Sequence, residues 1–327
     1  MLSPDASFQP PAWARGGHAQ TVLGAFLPSR ERPYQDARLG FRRVHVPMRD
    51  GDALSAWHRH GERGTTAVLF HGLGGSTRSS YVRRAASAAA RAGFGVLAVD
   101  HRGSGAGYES ATRPYMTGRV EDLADTFAWL RQERPDGGVA AVGYSLSGNT
   151  LLLQLGRREG PLPDRALCVS PAIDLESASR RMQRWPTRFY DLWILGACRR
   201  WVPRLRGPGA DPPRYRVRRM ASLREFDRLY IAPVWGFASR EEYYEHASSG
   251  PWLERIEVPT EVLTAADDPI VDATALENAR LSDAVRLRVV PTGGHLGFLA
   301  DRPTPLGTRR WLDHAVLQFL ESDPCAP

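Results

Sequence analysis

The sequence predicts an α/β fold in which a mostly parallel sheet carries helices on both faces. Short continuous apolar segments alternate with segments of helical pattern, which is typical of βαβ units. The alternation stops after Val169 and resumes near residue 259, which indicates one core interrupted by an insertion. The chain has 327 residues, 42% of them hydrophobic, so it is long and apolar enough to bury a large core.

The N-terminal part is expected to begin irregularly and then form a hairpin. Several prolines interrupt the first forty residues. Two extended segments follow at residues 41–48 and 54–60, and Asp50-Gly51 between them is a hairpin signal. His58 and His60 alternate on the second segment, and we expect both to face solvent.

The central part of the chain supplies the strands and helices of the core. Gly93 stops one Ala-rich helical segment, and the apolar runs are short enough for strands. The predicted strands span residues 66–70, 95–99, 138–142, 165–169, 259–264 and 285–290. The predicted helices span residues 79–92, 120–133, 147–158, 272–280 and 306–320.

The insertion is predicted to form a helical cap. Residues 171–250 are rich in Arg, Trp, Tyr and Pro. An insertion between late strands lies over the carboxyl edge of an open sheet, where ligands bind. The expected domains are therefore a core of residues 1–170 and 251–327 and a cap of residues 171–250. The apolar stretch 189–195 either packs on the core or forms a lid that contacts a lipid surface.

Composition excludes several classes of protein. All 43 basic side chains are Arg and are interleaved with Asp and Glu, so no nucleic-acid partner is expected. No apolar run reaches the ~18 residues of a membrane span, and the N-terminus lacks a secretory pattern. Three scattered cysteines show no zinc spacing and fit a reducing compartment. We therefore expect a cytoplasmic protein without metal or cofactor.

The strongest motif follows the strand predicted at residues 138–142. Residues 143–148 read Gly-Tyr-Ser-Leu-Ser-Gly, between a buried strand and a helix. That context is typical of a nucleophile elbow, G-x-S-x-G, in which small residues flank a serine on a tight turn. Ser145 is the candidate nucleophile. Ser147 departs from the pattern, which has glycine at its position.

A serine nucleophile needs a base and a group that orients the base. In α/β-hydrolases these follow the serine in the order acid, then histidine. His295 lies in a glycine-rich loop after the last predicted strand and is the candidate base. Asp267 and Asp268 both follow the preceding strand. Spacing does not choose between them; we select Asp268 because fold relatives place the acid immediately before proline.

Acyl transfer also requires two N–H donors for the tetrahedral oxyanion. The residue after the nucleophile, Leu146, supplies one candidate amide. The glycine-rich loop at residues 71–76 supplies the other, and its position after His-Gly makes Leu73 the candidate. The same loop lacks the Lys of a P-loop and the spacing of a dinucleotide fingerprint.

Taken in order, these motifs resemble the YheT-like α/β-hydrolases, which include the eukaryotic ABHD lipases and the yeast medium-chain ethyl-ester synthase/esterases. They include a His-x-Gln-Thr segment and a Phe-Asp … Tyr-Tyr pattern in the insertion. The matching segments are residues 17–21, 71–76, 102–103, 143–149, 151–152, 225–227, 236–244, 267–269 and 293–298. The resemblance implies an α/β-hydrolase fold and carboxylic-ester chemistry, with Ser145, Asp268 and His295 in the triad positions.

The expected function is hydrolysis of short- to medium-chain or lipid esters through an acyl-enzyme. Two alternatives stay open: transfer of the same acyl group to an alcohol, and a non-catalytic binding protein on the hydrolase scaffold. The expected partner is a small ester or lipid substrate, and the cap is a possible site of peripheral membrane contact. Acyl length, leaving group and oligomeric state do not follow from the sequence.

Overall fold

The architecture is that of a computed structural model that describes residues 8–108, 110–202, 205 and 219–322. Eight strands form one sheet in the order β1-β2-β4-β3-β5-β6-β7-β8. They are β1 (Arg42–Pro47), β2 (Ala53–Arg59), β3 (Thr65–Phe70), β4 (Gly95–Asp100), β5 (Gly138–Tyr144), β6 (Arg165–Val169), β7 (Thr260–Ala265) and β8 (Val285–Val290). β2 pairs antiparallel with β1 and β4, and the remaining pairs are parallel. The predicted mostly parallel sheet and its leading hairpin are confirmed.

Helices cover both faces of this sheet. They are α1 (Gly17–Phe26), α2 (Ser80–Arg91), α3 (Val120–Glu133), α4 (Leu146–Arg157), α5 (Leu175–Arg181), α6 (Arg188–Trp201), α7 (Leu223–Phe226), α8 (Ala232–Trp235), α9 (Arg240–Ala247), α10 (Ala273–Glu277) and α11 (Trp311–Glu321). On one face α2 and α11 pack through residues such as Ala86 and Val316. On the other face α3 and α4 pack through Phe127 and Leu151. No helix among these residues has the length and apolar character needed to cross a bilayer.

The first forty residues contain a helix that the sequence analysis did not predict. The residues that α1 buries are Gly17, Gln20, Thr21 and Gly24. Because they are polar or glycine, they give no apolar stripe of helical period, which is the signal that such a prediction needs. Conversely, the closing helix begins at Trp311 rather than 306, since Gly307 has φ 71°, outside the helical region, and Arg310 forms a bridge with Leu299.

The expectation that His58 faces solvent is wrong, although His60 is exposed as expected. β2 lies inside the sheet, and α3 covers the face on which His58 stands. The ring of Trp129 from α3 lies 5.5 Å from the His58 ring. Burial lowers the pKa of the His58 imidazole to about 4, so the side chain is neutral at physiological pH. A period-two pattern cannot show which neighbouring helix covers a strand.

A buried cation joins the hairpin to the centre of the fold. Arg102, just after β4, forms ion pairs with Asp50 at 2.9 Å, with Asp52 and with Asp122 at 2.7 Å. Asp50 and Asp52 flank the hairpin turn, and Asp122 lies in the first turn of α3. Because each charge has partners, the cluster can be buried without leaving an isolated ion.

The segment between β6 and β7 consists mainly of helices, from α5 to α9. Its apolar side chains, including Tyr190, Leu195 and Tyr230, form a third cluster. Leu73, from the loop after β3, and Leu146, the first residue of α4 after β5, pack against this cluster. The segment therefore covers the edge of the sheet where the candidate site residues lie. Its division from the core as a separate cap stays a prediction.

Candidate active site

Ser145 stands on a strained turn between β5 and α4. Its backbone angles are φ 55° and ψ −121°, outside the regions that L-residues prefer. The turn is possible because Gly143 has no side chain. A Cβ there would lie 2.7 Å from the Ser147 carbonyl oxygen and 2.8 Å from the Gly148 Cα. This geometry presents the half-buried Ser145 side chain at the carboxyl end of the strand.

Ser147, the departure from the elbow pattern, is fully buried and hydrogen-bonded. Its hydroxyl donates to the carbonyl oxygen of His71 and lies 2.7 Å from Nε2 of His101. The Ser147 hydroxyl has one proton, which it donates to His71. The Nε2–H group of His101 is therefore the donor to the serine oxygen. Burial lowers the pKa of His101 well below its usual value, which is consistent with a neutral ring. Ser147 thus joins the elbow to the loop that carries Leu73.

The structure brings the predicted serine, histidine and aspartate together. Nε2 of His295 lies 2.9 Å from Oγ of Ser145, and Nδ1 of His295 lies 2.8 Å from Oδ2 of Asp268. The other carboxylate oxygen of Asp268 accepts hydrogen bonds from the Ile270 and Val271 amides at 2.8 and 2.9 Å. These amides fix the carboxylate, which is buried, in the orientation that meets the imidazole.

Asp267, the alternative acid, bonds to the histidine loop instead of the imidazole. Its carboxylate accepts hydrogen bonds from the Thr292 hydroxyl at 2.6 Å and from the Gly293 and Gly294 amides, both at 2.9 Å. The two neighbouring carboxylates therefore have different contacts: Asp268 touches the ring of His295, and Asp267 holds the backbone that leads to it.

Two residues of α1 hold the same loop, and their roles were missed by the sequence analysis. The His295 amide donates to the Thr21 hydroxyl at 2.8 Å. The Gln20 side chain accepts from the Leu299 amide at 2.6 Å and donates to its carbonyl oxygen at 3.1 Å. Both belong to the His-x-Gln-Thr segment of the family resemblance, which was the one available signal.

The two predicted oxyanion donors lie in the same cavity as Ser145 and His295. Leu73 and Leu146 both line it. Tyr81 shapes the loop that carries Leu73, since its hydroxyl accepts a hydrogen bond from the Gly72 amide at 3.0 Å. Leu146 opens α4, where the first N–H groups of a helix have no intrahelical acceptor.

The cavity has a volume of about 380 Å³, within the usual range for small-molecule sites. Most of its wall is apolar. The apolar lining residues include Ala172, Ala178, Met182, Trp193, Ile194, Ala197, Ile270 and Leu296. This lining suits an acyl chain. Among the described residues, no group of three or more His, Cys, Asp or Glu side chains is placed to hold a metal ion.

Comparison with known proteins agrees with this geometry. A family model described as the α/β-hydrolase fold matches residues 67–301. The candidate esterase YheT of Escherichia coli (strain K12) is 30% identical over 99% of this chain and 97% of its own. Monoacylglycerol lipase ABHD2 of Danio rerio is 26% identical, over 95% of this chain and 76% of its own.

A solved structure supports the fold independently. Esterase Pf2001 of Pyrococcus furiosus superimposes with a TM-score of 0.61 over 90% of this chain and 95% of its own, at 17% identity. At that identity the likeness concerns the fold alone. The predicted fold and the resemblance in motifs are both confirmed, and the esterase and lipase relatives support the expected class of carboxylic ester hydrolase. The chain therefore belongs to the α/β-hydrolase fold family and, within it, to the YheT-like group.

Proposed function

We propose that this protein hydrolyses short- to medium-chain or lipid esters through an acyl-enzyme formed on Ser145. The observation that carries the proposal is the continuous chain of contacts from Ser145 Oγ through His295 to Asp268, with distances of 2.9 and 2.8 Å. These contacts lie in an apolar cavity large enough for an acyl chain.

In the proposed first half-reaction, Ser145 Oγ attacks the ester carbonyl carbon while His295 Nε2 accepts the hydroxyl proton. Asp268 holds the Nδ1–H tautomer and stabilises the imidazolium that forms. The Leu73 and Leu146 amides donate to the developing oxyanion. Collapse of the tetrahedral intermediate breaks the C–O bond, and the imidazolium protonates the departing alkoxide.

In the second half-reaction a water molecule replaces the alcohol. His295 accepts its proton as the oxygen attacks the acyl-enzyme, and the same two amides stabilise the second oxyanion. The imidazolium then returns a proton to Ser145 as the carboxylic acid leaves. The apolar wall of the cavity favours acyl groups because it removes their hydrocarbon surface from water.

The test is a panel of p-nitrophenyl esters of increasing chain length, with wild type, Ser145→Ala and the control Ser177→Ala. Ser177 is exposed on α5 and does not line the cavity that holds Ser145 and His295. We expect Ser145→Ala to lose at least ~10³-fold in kcat, since loss of a triad serine removes covalent catalysis. The control should retain wild-type rates.

Two further measurements address the alternatives. A fluorophosphonate probe should label the wild type and leave Ser145→Ala unlabelled; an unlabelled wild type would favour a binding protein. Addition of ethanol should leave free acid as the main product. If ethyl ester predominates instead, the protein is an acyltransferase that uses the same acyl-enzyme.

A further inference from the structure

Most of the large exposed apolar side chains gather on one surface. Among the described residues six such side chains are exposed, and four of them are Phe26 on α1 and Phe189, Leu192 and Trp193 on α6. The centre of the Trp193 ring lies 5.2 Å from that of Phe26 and 6.5 Å from that of Phe189, with the rings stacked. We call these four residues the α1/α6 surface. Single exposed apolar residues are common on proteins, whereas a contiguous group of them marks an interaction site.

Helix α6 is apolar on two faces. Its buried face includes Tyr190 and Leu195, which pack in the third apolar cluster. Phe189, Leu192 and Trp193 are exposed and follow the spacing i, i+3, i+4, so they lie together on a second face. The buried face is sufficient to hold the helix on the fold. The exposed face is not needed for that packing and is available to a partner.

The cavity that holds Ser145 opens at this surface. Three of the residues that line the cavity are exposed, namely Ala25 on α1 and Trp193 and Arg200 on α6. Its other lining residues are buried or half-buried. The mouth of the cavity therefore lies between α1 and α6. A molecule held in an apolar layer against the α1/α6 surface can enter the cavity without crossing water.

The charges that accompany this surface are almost all positive. Residues 12–30 and 182–202, the segments that contain α1 and α6, hold six arginines and a single acidic residue, Asp191. Asp191 is fully buried and pairs with an arginine of its own helix, so it presents no negative charge to a partner. Arg184 and Arg200 are exposed, and neither forms an ion pair with any residue that the structure describes. An apolar surface with positive side chains around it complements the acyl chains and anionic headgroups of a phospholipid bilayer.

We propose that the α1/α6 surface docks the protein on an anionic phospholipid bilayer, with the mouth of the cavity turned toward the lipid. The apolar side chains enter the boundary between headgroups and acyl chains, where aromatic rings are favoured, and the guanidinium groups bind lipid phosphates. The other occupant of an apolar surface is a second copy of the chain. The positive charge favours the bilayer, because a symmetric dimer would bring the same arginines together.

The test is cosedimentation of the protein with two kinds of vesicle, one of phosphatidylcholine alone and one of phosphatidylcholine mixed with phosphatidylglycerol. At low salt we expect the wild type to bind the mixed vesicles at least about tenfold more tightly, because each arginine near an anionic surface adds attraction. High salt should reduce this preference by screening the charges. The measurement uses no ester, so its outcome is independent of the proposed hydrolysis.

The double variant Phe26→Ser/Leu192→Ser removes two apolar side chains from the surface. We expect its affinity for mixed vesicles to fall about tenfold or more, because less hydrocarbon area is removed from water on binding. Both residues are exposed, so the variant should fold, which thermal unfolding verifies. The matched control is Trp13→Ser. Trp13 is also exposed but precedes the first residue of α1, whereas Phe26 is the last, so the control should bind as the wild type does.

A second pair of variants tests the role of charge. Arg184→Gln/Arg200→Gln removes two exposed guanidinium groups and should reduce the preference for mixed vesicles by about tenfold. Arg280→Gln/Arg286→Gln removes the same charge elsewhere. Arg280 precedes β8 and Arg286 lies near its amino end, at the sheet edge opposite the cavity, and both are exposed. This control should keep the wild-type preference.

Three outcomes would overturn the proposal. The first is a wild type that does not bind mixed vesicles at low salt. The second is an equal affinity of wild type and Phe26→Ser/Leu192→Ser, or an equal loss in that variant and Trp13→Ser, since the bilayer would then bind elsewhere. The third is a dimer in size-exclusion chromatography that Phe26→Ser/Leu192→Ser converts to a monomer, without vesicle binding by either protein. A second copy of the chain would then be the occupant of the surface.

Discussion

The buried hydroxyl group of Ser147 forms hydrogen bonds with two separate groups of the candidate site. It bonds both to the His71 carbonyl and to the His101 ring. Ser147→Ala leaves both groups buried without this partner, so we expect a loss of about 1–3 kcal/mol in the free energy of unfolding. Denaturant unfolding of the variant measures it.

The exposed Ser177→Ala serves as control and should change the free energy of unfolding by less than about 0.5 kcal/mol. Because the substitution leaves the Ser145 side chain and its turn in place, we also expect the fluorophosphonate probe to label Ser147→Ala. A variant as stable as wild type would show that the hydroxyl contributes no net stabilisation.

The two neighbouring aspartates allow a direct comparison of roles. Asp268→Asn leaves the size of the side chain unchanged but removes the charge that holds the His295 tautomer in the proposed mechanism. We expect kcat to fall by up to about 10⁴-fold. Asp267→Asn disturbs the backbone of the loop, where Thr292 and the two following amides bond. Its loss in kcat should be smaller and should come with a lower Tm.

Steady-state kinetics and thermal unfolding of both variants make this comparison. If Asp267→Asn lost more activity than Asp268→Asn while both stayed folded, Asp268 would not be the orienting acid, and the alternative that the sequence left open would gain support.

Among the elements, α1 acts on the proposed site from a distance in sequence. It meets the histidine loop at close range, since a Cβ on Gly24 would lie 2.5 Å from Gly297 Cα. Thr21→Val keeps the shape of the side chain but removes the acceptor of the His295 amide. We expect a fall in kcat of about tenfold with little change in KM, because displacement of His295, the proposed base, affects the chemical step.

The control for this prediction is Thr274→Val on α10. Among the described residues, the side chain of Thr274 bonds only to Asp272, at an exposed position. The Thr274→Val variant should retain wild-type kinetics. If Thr21→Val instead raised KM at constant kcat, α1 would contribute to substrate binding rather than to the position of His295.

The sequence predicts best those strands and helices whose bounds follow from the pattern of their own residues. The strands Arg165–Val169 and Val285–Val290 and the helix Val120–Glu133 have the predicted bounds. Helix Gly17–Phe26 was missed because its buried face is polar, and the burial of His58 depends on a neighbouring helix. The local sequence pattern therefore predicts an element correctly when the residues of that element determine its structure. It fails when contacts with other elements determine the structure.

The candidate site follows the same rule. Ser145 and His295 could be found because each stands in a recognisable loop after a strand, and parallel strands end at one edge. The sequence could not choose between Asp267 and Asp268 by spacing, since one residue of difference changes only the direction of the side chain. It also gave no role to Gln20, whose partner Leu299 lies 279 positions away.

At the scale of the whole molecule, buried ionisable groups affect stability in opposite directions. Burial raises the pKa of Asp227 to about 7 and lowers that of His58 to about 4. The native state holds a proton on Asp227 at pH values where the unfolded chain has released it. For His58 the unfolded chain takes up a proton that the native state excludes. The pH dependence of wild-type stability alone therefore mixes the two contributions.

The difference in free energy of unfolding between wild type and Asp227→Asn isolates the contribution of Asp227. Between about pH 4 and pH 7, the native protein binds one more proton at Asp227 than the unfolded chain does, so this group makes the free energy of unfolding fall as pH rises. The amide has no such dependence. We therefore expect the variant to gain stability relative to wild type between pH 5 and pH 8, by up to a few kcal/mol, at about 1.4 kcal/mol per unit of pKa shift.

Urea unfolding of both proteins at several pH values measures this difference. A difference that stays constant across the range would mean that Asp227 titrates alike in the native and unfolded states.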